Sequence, residues 1–165
     1  MKLVGLGDSC KSFLDAFATQ LANYVDVPSA VYVAAGEIPW DGESLILSLA
    51  SETQGVPGRP SAVSQVSAST AISSVAIFIE LIRNVSTYGY ENGLIGLPSD
   101  EVMETEGLQA LNDAGAMIQT AIILKSKGIP VPLGVDFAIG QCVPVGPMGG
   151  LAAVRLTLEI SIDGA

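Results

Sequence analysis

Histidine is absent from this chain of 165 residues, and other residues that commonly carry chemistry are scarce. There are only two cysteines, Cys10 and Cys142, and 7 Lys and Arg stand against 17 Asp and Glu, giving a net charge of −10. Without histidine and with two separated cysteines, we expect no zinc site. An acidic chain also lacks the clustered cations that grip phosphate backbones, so we expect no binding to nucleic acid through phosphate contacts. The two cysteines indicate buried thiols, with a single disulfide bridge as the alternative.

Charged residues and long apolar runs are also in short supply. Charged residues make up 15% and apolar residues 49% of the chain, which favours a folded core over disorder. No apolar run reaches the roughly 18 residues of a membrane span, so we expect no membrane contact. The segment Met1–Leu6 is too short for a signal-peptide core, so we expect no leader. The length indicates a single domain over 1–165, and the low charge suits a surface covered by neighbouring subunits.

The clearest pattern lies near the C-terminus and predicts a β-strand. One face would carry Val154, Leu156, Leu158, Ile160 and Ile162, and the other Arg155, Thr157, Glu159 and Ser161. Strict alternation over this length is typical of a half-buried strand. Two prolines and the pair Gly149-Gly150 precede it, and they predict a turn that reverses the chain.

The remaining segments complete an α/β (α+β) fold with the element order α-β-β-β-α-β-β. The patterns predict a helix over about 9–25 capped by Asp8 or Ser9, strands at 30–34 and 44–50, a long strand over about 62–85, a helix over about 99–127 capped by Ser99, and loops at 53–61 and 88–98. Helical spacing is an alternative for the segment 62–85. We therefore expect two main helices covering a mainly antiparallel or mixed sheet of about five strands, with a projecting loop or hairpin around 51–74.

The long helix also carries a prediction about its orientation. Five residues recur at helical spacing and predict the stripe that faces the core: Leu108, Leu111, Gly115, Ile118 and Ile122.

Catalytic signatures are weak. The segment Leu3–Ser9 resembles the strand–Gly-Asp-Ser–helix opening of the SGNH esterases, in which Ser9 would be the nucleophile. That chemistry needs a histidine base, which is missing, so a helix cap is the favoured interpretation. The acidic cluster at 100–106 fits a helix start better than a cation site. We therefore assign no catalytic, cofactor-binding or metal-binding residue, and we expect no cofactor.

Three blocks occur in an order that resembles a known family. They are Val31–Asp41, which leads into a strand; Leu81–Val85, which ends an apolar strand before a long helix; and Val145–Gly150, which precedes the closing strand. Together they resemble the tail terminator (head–tail joining) proteins of long-tailed bacteriophages, especially those of actinobacterial hosts. The resemblance extends from about residue 31 to the C-terminus. The family often has a cysteine-rich segment after Trp-Asp, where this chain has Gly42-Glu43-Ser44.

The resemblance implies a non-enzymatic virion protein that forms a ring, a hexamer in that family, at the head-proximal end of the tail tube. Such a ring ends tube polymerisation and presents a docking surface to the head. Its partners would be further copies of itself, the tail tube protein and a head-side neck (stopper) protein, and it would surround DNA without sequence-specific binding. Its location would be the virion neck, after assembly in the host cytoplasm.

Candidate residues for this role fall into two groups. The candidates for contact with a neighbouring subunit or the tube are Gln54, Arg59, Ser64, Gln65, Ser67, Ser69 and Trp40. The acidic candidates for lining a DNA channel are Glu52, Glu80 and Glu159. An acidic wall would repel the duplex and allow it to slide.

Two alternatives remain open at the level of sequence. One is another neck or tail-tube component of the same topology. The other is a small cytoplasmic α/β enzyme or ligand-binding domain that uses carboxylates such as Asp8, Asp41 or Asp136. The second alternative predicts an enclosed pocket and a carboxyl group with a strongly shifted pKa.

Overall fold

In the part of the chain that the structure describes, two helices and a five-stranded mixed sheet build the fold, as expected from the sequence. The computed structural model describes residues 6–35, 40–49, 74–86, 89–91, 94–132 and 136–161. The helices are α1 (Leu6–Leu21) and α2 (Asp100–Ser126), and the strands are β1 (Val31–Ala34), β2 (Ser44–Leu49), β3 (Ser74–Asn84), β4 (Gly89–Glu91), β5 (Leu94–Gly96), β6 (Asp136–Met148) and β7 (Leu151–Ser161). The main sheet has the strand order β1-β2-β3-β7-β6, in which β1 and β2 are parallel and the other pairs antiparallel.

Both helices pack on one face of this sheet. Strand alternation places one set of apolar residues against them, and this set forms the main core: Leu45, Leu47, Ile77, Ile79, Leu81, Val154, Leu156, Leu158 and Ile160. The predicted apolar face of the closing strand is therefore confirmed from Val154 to Ile160, whereas Ile162 lies outside the described residues. Residues at the alternate positions, such as Arg155 and Glu80, lie on the opposite face, which we call the outer face of the sheet.

Helix α1 supplies the aromatic part of the core. Phe13 and Phe17 are fully buried, and the Phe13 ring meets the Phe137 ring edge to face at 5.9 Å. The helix begins at Leu6 rather than near residue 9, so Asp8 lies within its first turn. Tyr24, three residues beyond the end of the helix, is 45% exposed.

The ends of α2 agree closely with the sequence prediction. The Ser99 hydroxyl accepts a hydrogen bond from the backbone N–H of Val102, and this cap begins the helix. Beyond its last residue, Gly128 adopts a φ of +64°, which glycine reaches without strain. Within the described part of the chain, no helix is long and apolar enough to cross a membrane.

Two predictions concern the middle of the chain. The preference for a strand over a helix is confirmed for β3, whereas residues 62–73 and the projecting loop at 51–73 lie outside the described residues. The predicted loop at 88–98 contains the short hairpin β4–β5, which is separate from the main sheet. Strands of three residues with glycine in each are too short to leave a period-two pattern in the sequence.

The β6–β7 hairpin forms one side of the sheet. Its turn is the predicted pair Gly149-Gly150, and both residues have positive φ, as a tight two-residue hairpin turn requires. Two register shifts interrupt β6, one between Ile139 and Cys142 and one between Val145 and Met148. The peptide bond between Gly146 and Pro147, in the second of these regions, is cis.

Candidate functional site

A buried ion pair fixes α2 on the sheet. The Arg83 guanidinium, at the end of β3, donates to both carboxylate oxygens of Asp113, with Nε–Oδ2 at 3.1 Å and Nη2–Oδ1 at 3.0 Å. The Gln109 amide donates to Oδ1 as well, and the Asp113 side chain is 1% exposed. A bidentate pair of this kind fixes both distance and orientation, so it sets the rotation of α2 about its own axis. The pair was not predicted from the sequence, although one acidic residue among alanines in an apolar helix was a signal.

The rotation set by this pair contradicts the predicted orientation of α2. The residues that pack on the sheet side are Asp113, Ala116, Met117, Thr120, Ala121 and Leu124. The predicted inward stripe lies on the opposite side of the helix, and its aliphatic members are exposed: Leu108 56%, Leu111 71%, Ile118 36% and Ile122 47%. The prediction failed because α2 is apolar on both sides, and the smaller side chains allow the closer approach to the sheet. We call Leu108, Leu111, Gly115, Ile118 and Ile122 the outer stripe.

The first turns of α2 extend the exposed surface. From Asp100 to Gln109 every residue except Glu106 is exposed, which corresponds to about 15 Å of helix. Leu97, just before the helix, is 69% exposed. The Glu106 carboxylate accepts a hydrogen bond from the backbone N–H of Ser86 at 2.6 Å and so ties this projecting part to the end of β3. A single chain therefore leaves much of its longest helix available for contact with another protein.

The three blocks of the family resemblance meet at one corner of the outer face. Here a small apolar cluster joins Ala34, Ile46, Ile82, Leu151 and Ala153, with Tyr32, Trp40 and Val145 packed against it. The Trp40 ring lies beside Gly146, where a Cβ would come within 3.4 Å of the ring. Hydrogen bonds reinforce the corner, since the Val85 N–H donates to the Gly150 carbonyl at 2.8 Å and the Asn84 N–H donates to the Glu43 carboxylate at 3.1 Å. Trp40 is half-buried here, so part of its ring remains available for the predicted contact.

The acidic channel candidates differ in their surroundings. Glu80 and Arg155 are cross-strand neighbours on the outer face, with Oε2 and Nη2 3.3 Å apart, and Glu80 is 6% exposed. The Arg155 guanidinium also lies over the Phe78 ring at 4.7 Å. In the single chain, Glu80 therefore has its charge compensated and buried. Glu159, on the same face, is exposed, and Glu52 lies outside the described residues.

Six of the seven predicted contact residues lie outside the described residues. They are Gln54, Arg59, Ser64, Gln65, Ser67 and Ser69. Trp40 is the one member of that group that the structure places.

An open cleft of about 990 Å³ lies between the end of α1 and the middle of α2. Arg83, Leu111 and the carboxylates of Asp26 and Glu43 are among its lining residues, and five amide side chains also line it: Asn23, Asn84, Gln109, Asn112 and Gln119. Amides offer hydrogen bonds but do not act as acids or bases near neutral pH. The Arg83 guanidinium is already engaged by Asp113, and the cleft is open to solvent rather than enclosed.

Two carboxylates of the enzyme alternative, Asp41 and Asp136, do not converge. Asp41 adjoins Trp40, which lies against Gly146 near the end of β6, whereas Asp136 begins that strand, about 30 Å away at 3.3 Å per residue. Asp136 is exposed, and the backbone N–H of Phe137, helped by the Lys125 ammonium, lowers its pKa. A general acid near neutral pH needs the opposite shift.

The cysteines are free thiols in the structure, and their environments are apolar. Burial raises the pKa of Cys10, and it raises the pKa of Cys142 to about 11. These thiols resist forming the thiolate that nucleophilic or metal chemistry requires. Among the described residues, no three side chains of His, Cys, Asp or Glu lie close enough to hold a metal ion.

No protein-family model matches the chain, and a search of curated proteins found no match.

Proposed function

We propose that this chain is a non-enzymatic virion protein that forms a ring, a hexamer, at the head-proximal end of a bacteriophage tail tube. The ring ends tube polymerisation and offers the head its docking surface. The observation that carries the proposal is the pair of unlike sheet edges. Within the described part of the chain, β1 and β6 each have a strand on one side only.

Unlike edges favour closure into a ring. Contact between β1 of one copy and β6 of the next joins two different surfaces, and repetition of such a head-to-tail contact gives a ring when the rotation closes. Closure also removes the free edges that otherwise promote aggregation. Pro144 and Pro147 lack an N–H and limit pairing along the second half of β6. At its start, side chains already engage the Phe137 backbone, so the stretch proposed for the contact is 138–141.

The Trp40 corner supports the resemblance on which the proposal rests. Val31–Asp41, Leu81–Val85 and Val145–Gly150 are far apart in sequence, yet residues from all three pack together. The blocks that carry the resemblance are therefore neighbours in the folded chain, and this supports the proposal.

The acidic charge fits a ring through which DNA passes. With a net charge of −10, the chain repels a duplex instead of holding it. Glu159 is the exposed channel candidate on the outer face of the sheet, whereas the buried Glu80 is engaged with Arg155. The proposal for the channel wall therefore depends on Glu159 and on Glu52.

Light scattering over a concentration series, with negative-stain imaging in the presence of isolated tail tubes, tests the ring. We expect particles of about six times 16.9 kDa, or rings that appear on one end of each tube and stop its growth. Rings that stack into tubes would instead indicate a tube component. A chain that stays monomeric and does not bind tube ends would contradict the proposal.

Glu159→Lys tests the channel, with Glu104→Lys on α2 as a control that changes the net charge equally. We expect only the Glu159→Lys ring to retain DNA at low salt, because only this substitution adds a cation inside the ring. Equal retention by both variants would remove Glu159 from the channel wall.

A further inference from the structure

The outer stripe of α2 has a symmetry that the fold of one chain does not explain. Its members lie at 108, 111, 115, 118 and 122, so Leu108 and Ile122 are each seven residues from Gly115, while Leu111 and Ile118 are four and three residues from it. An antiparallel copy of α2 crossing at Gly115 would thus place Leu108 opposite Ile122 and Leu111 opposite Ile118. A surface that matches itself in this way is the requirement for a two-fold contact.

Gly115 lies at the centre of the stripe, where nothing within its own chain requires a glycine. A Cβ placed there would meet no atom within 4 Å, and its φ is not positive. Glycine inside a helix is less favourable than alanine, so its presence here is unexplained by the monomer. A second helix backbone crossing at this point would explain it, because a residue without a side chain permits the closest approach.

The charges along α2 favour an antiparallel pair over a parallel one. Its first seven residues include Asp100, Glu101, Glu104 and Glu106, and its end carries Lys125 and Lys127. Antiparallel pairing places the acidic start of one helix beside the basic end of the other and opposes the two helix dipoles. Lys125 already contacts Asp136 at 3.4 Å, but its side chain remains 44% exposed. Between Glu106 and Lys125 the one charged side chain, Asp113, is buried on the sheet side, so the stripe itself is neutral.

We propose that the outer stripe binds the outer stripe of a second copy of this chain, in an antiparallel two-fold contact that crosses at Gly115. This contact is distinct from the ring, which joins the unlike edges β1 and β6 head to tail. It covers the apolar side of α2 that the fold leaves exposed, and it pairs identical surfaces.

Cysteine cross-linking in the full-length protein tests the geometry. Gly115→Cys lies on the proposed axis, so we expect it to form a disulfide-linked dimer under mild oxidation. Leu108→Cys alone should not link to itself, because its two copies would lie about 20 Å apart along the helices. A mixture of Leu108→Cys and Ile122→Cys chains should link. Peptide mass spectrometry distinguishes these links from any through Cys10 or Cys142.

Sedimentation equilibrium tests the affinity. Leu111→Glu introduces a charge into the centre of the contact, and we expect its dimer dissociation constant to rise about 30-fold or more. Met103→Glu is the matched control, since Met103 is 46% exposed on the same helix but outside the stripe, and it should leave the constant within about threefold. Circular dichroism verifies that both variants are folded.

The outcomes separate this contact from the ring. Dimers that depend on Leu111, with Gly115→Cys self-linking, support the contact whether or not rings form. Rings of unchanged mass in Leu111→Glu, with no self-linking of Gly115→Cys, would overturn the contact and leave the ring standing. A wild-type chain that is monomeric at every concentration would also overturn it.

Discussion

Asp113→Asn tests whether the ion pair beneath α2 holds the helix in place. The substitution keeps the size of the side chain but leaves the Arg83 guanidinium without its counter-charge. Removing one partner of a buried pair typically costs 3–5 kcal/mol. Two features place the cost of Asp113→Asn near the lower end of this range. The asparagine oxygen can still accept one of the two hydrogen bonds from Arg83, and the Arg83 side chain is 16% exposed toward the cleft. We expect a loss of about 3 kcal/mol in the free energy of unfolding, or about 9 °C in Tm for a chain of this size.

Urea unfolding followed by circular dichroism measures this loss, and the chain offers a matched control. Lys11 and Asp15 form an exposed pair one turn apart on α1, with side chains 48% and 55% exposed. Asp15→Asn removes the same charge and should cost less than about 0.5 kcal/mol. The double variant Arg83→Met/Asp113→Leu should recover much of the loss, because no buried charge is then left unpaired. If Asp113→Asn costs no more than Asp15→Asn, the pair does not set the position of α2.

Three further predictions concern single positions. Gly140→Ala should destabilise the β6–β7 hairpin by about 1 kcal/mol, since its Cβ would lie 3.1 Å from the Thr157 carbonyl oxygen. Gly107→Ala should instead stabilise α2 by up to about 1 kcal/mol, because its Cβ would meet no atom within 4 Å. Thermal unfolding of both variants measures these opposite changes in stability. Ser99→Ala removes the cap of α2 and should lower the free energy of unfolding by about 1 kcal/mol in urea titration, and an unchanged midpoint would contradict the role of the cap. The pKa of Cys142, raised to about 11, keeps its thiol protonated at pH 8, so iodoacetamide should modify the native protein much more slowly than the urea-unfolded one, with the native rate rising between pH 9 and 11.

The sequence predicted best where a pattern reports local geometry. Alternation from Val154 to Ile160 identified the buried face of β7, and Gly149-Gly150 identified its turn. Ser99 marked the start of α2, because a helix cap is a local hydrogen-bond requirement. These features require no knowledge of what the segment packs against.

Prediction failed where a distant partner decides. Apolar residues lie on both sides of α2, so periodicity alone favoured the side with the larger side chains, Leu108 and Leu111. The partner that selects the other side is Arg83, thirty residues before Asp113 in sequence. A distant partner also decides the surroundings of Glu80. Its pairing with Arg155 follows from the β3–β7 register and could not be predicted from the sequence of either strand alone. Of the candidate site, the sequence identified Trp40 but not the corner that its ring helps to form.

The bidentate contact of Arg83 with Asp113 has a consequence for how this protein changes over time. That pair, with Ala116, Met117 and Ala121, holds α2 on the sheet. The residues of the outer stripe therefore make little contribution to folding. Exposed positions away from such contacts usually tolerate substitution within about 0.5 kcal/mol. Leu111 and Ile118 can therefore vary to suit a new partner while the stability of the domain stays constant. The residues that determine the partner and the residues that stabilise the fold therefore lie on opposite sides of one helix, and selection can act on either set without disturbing the other.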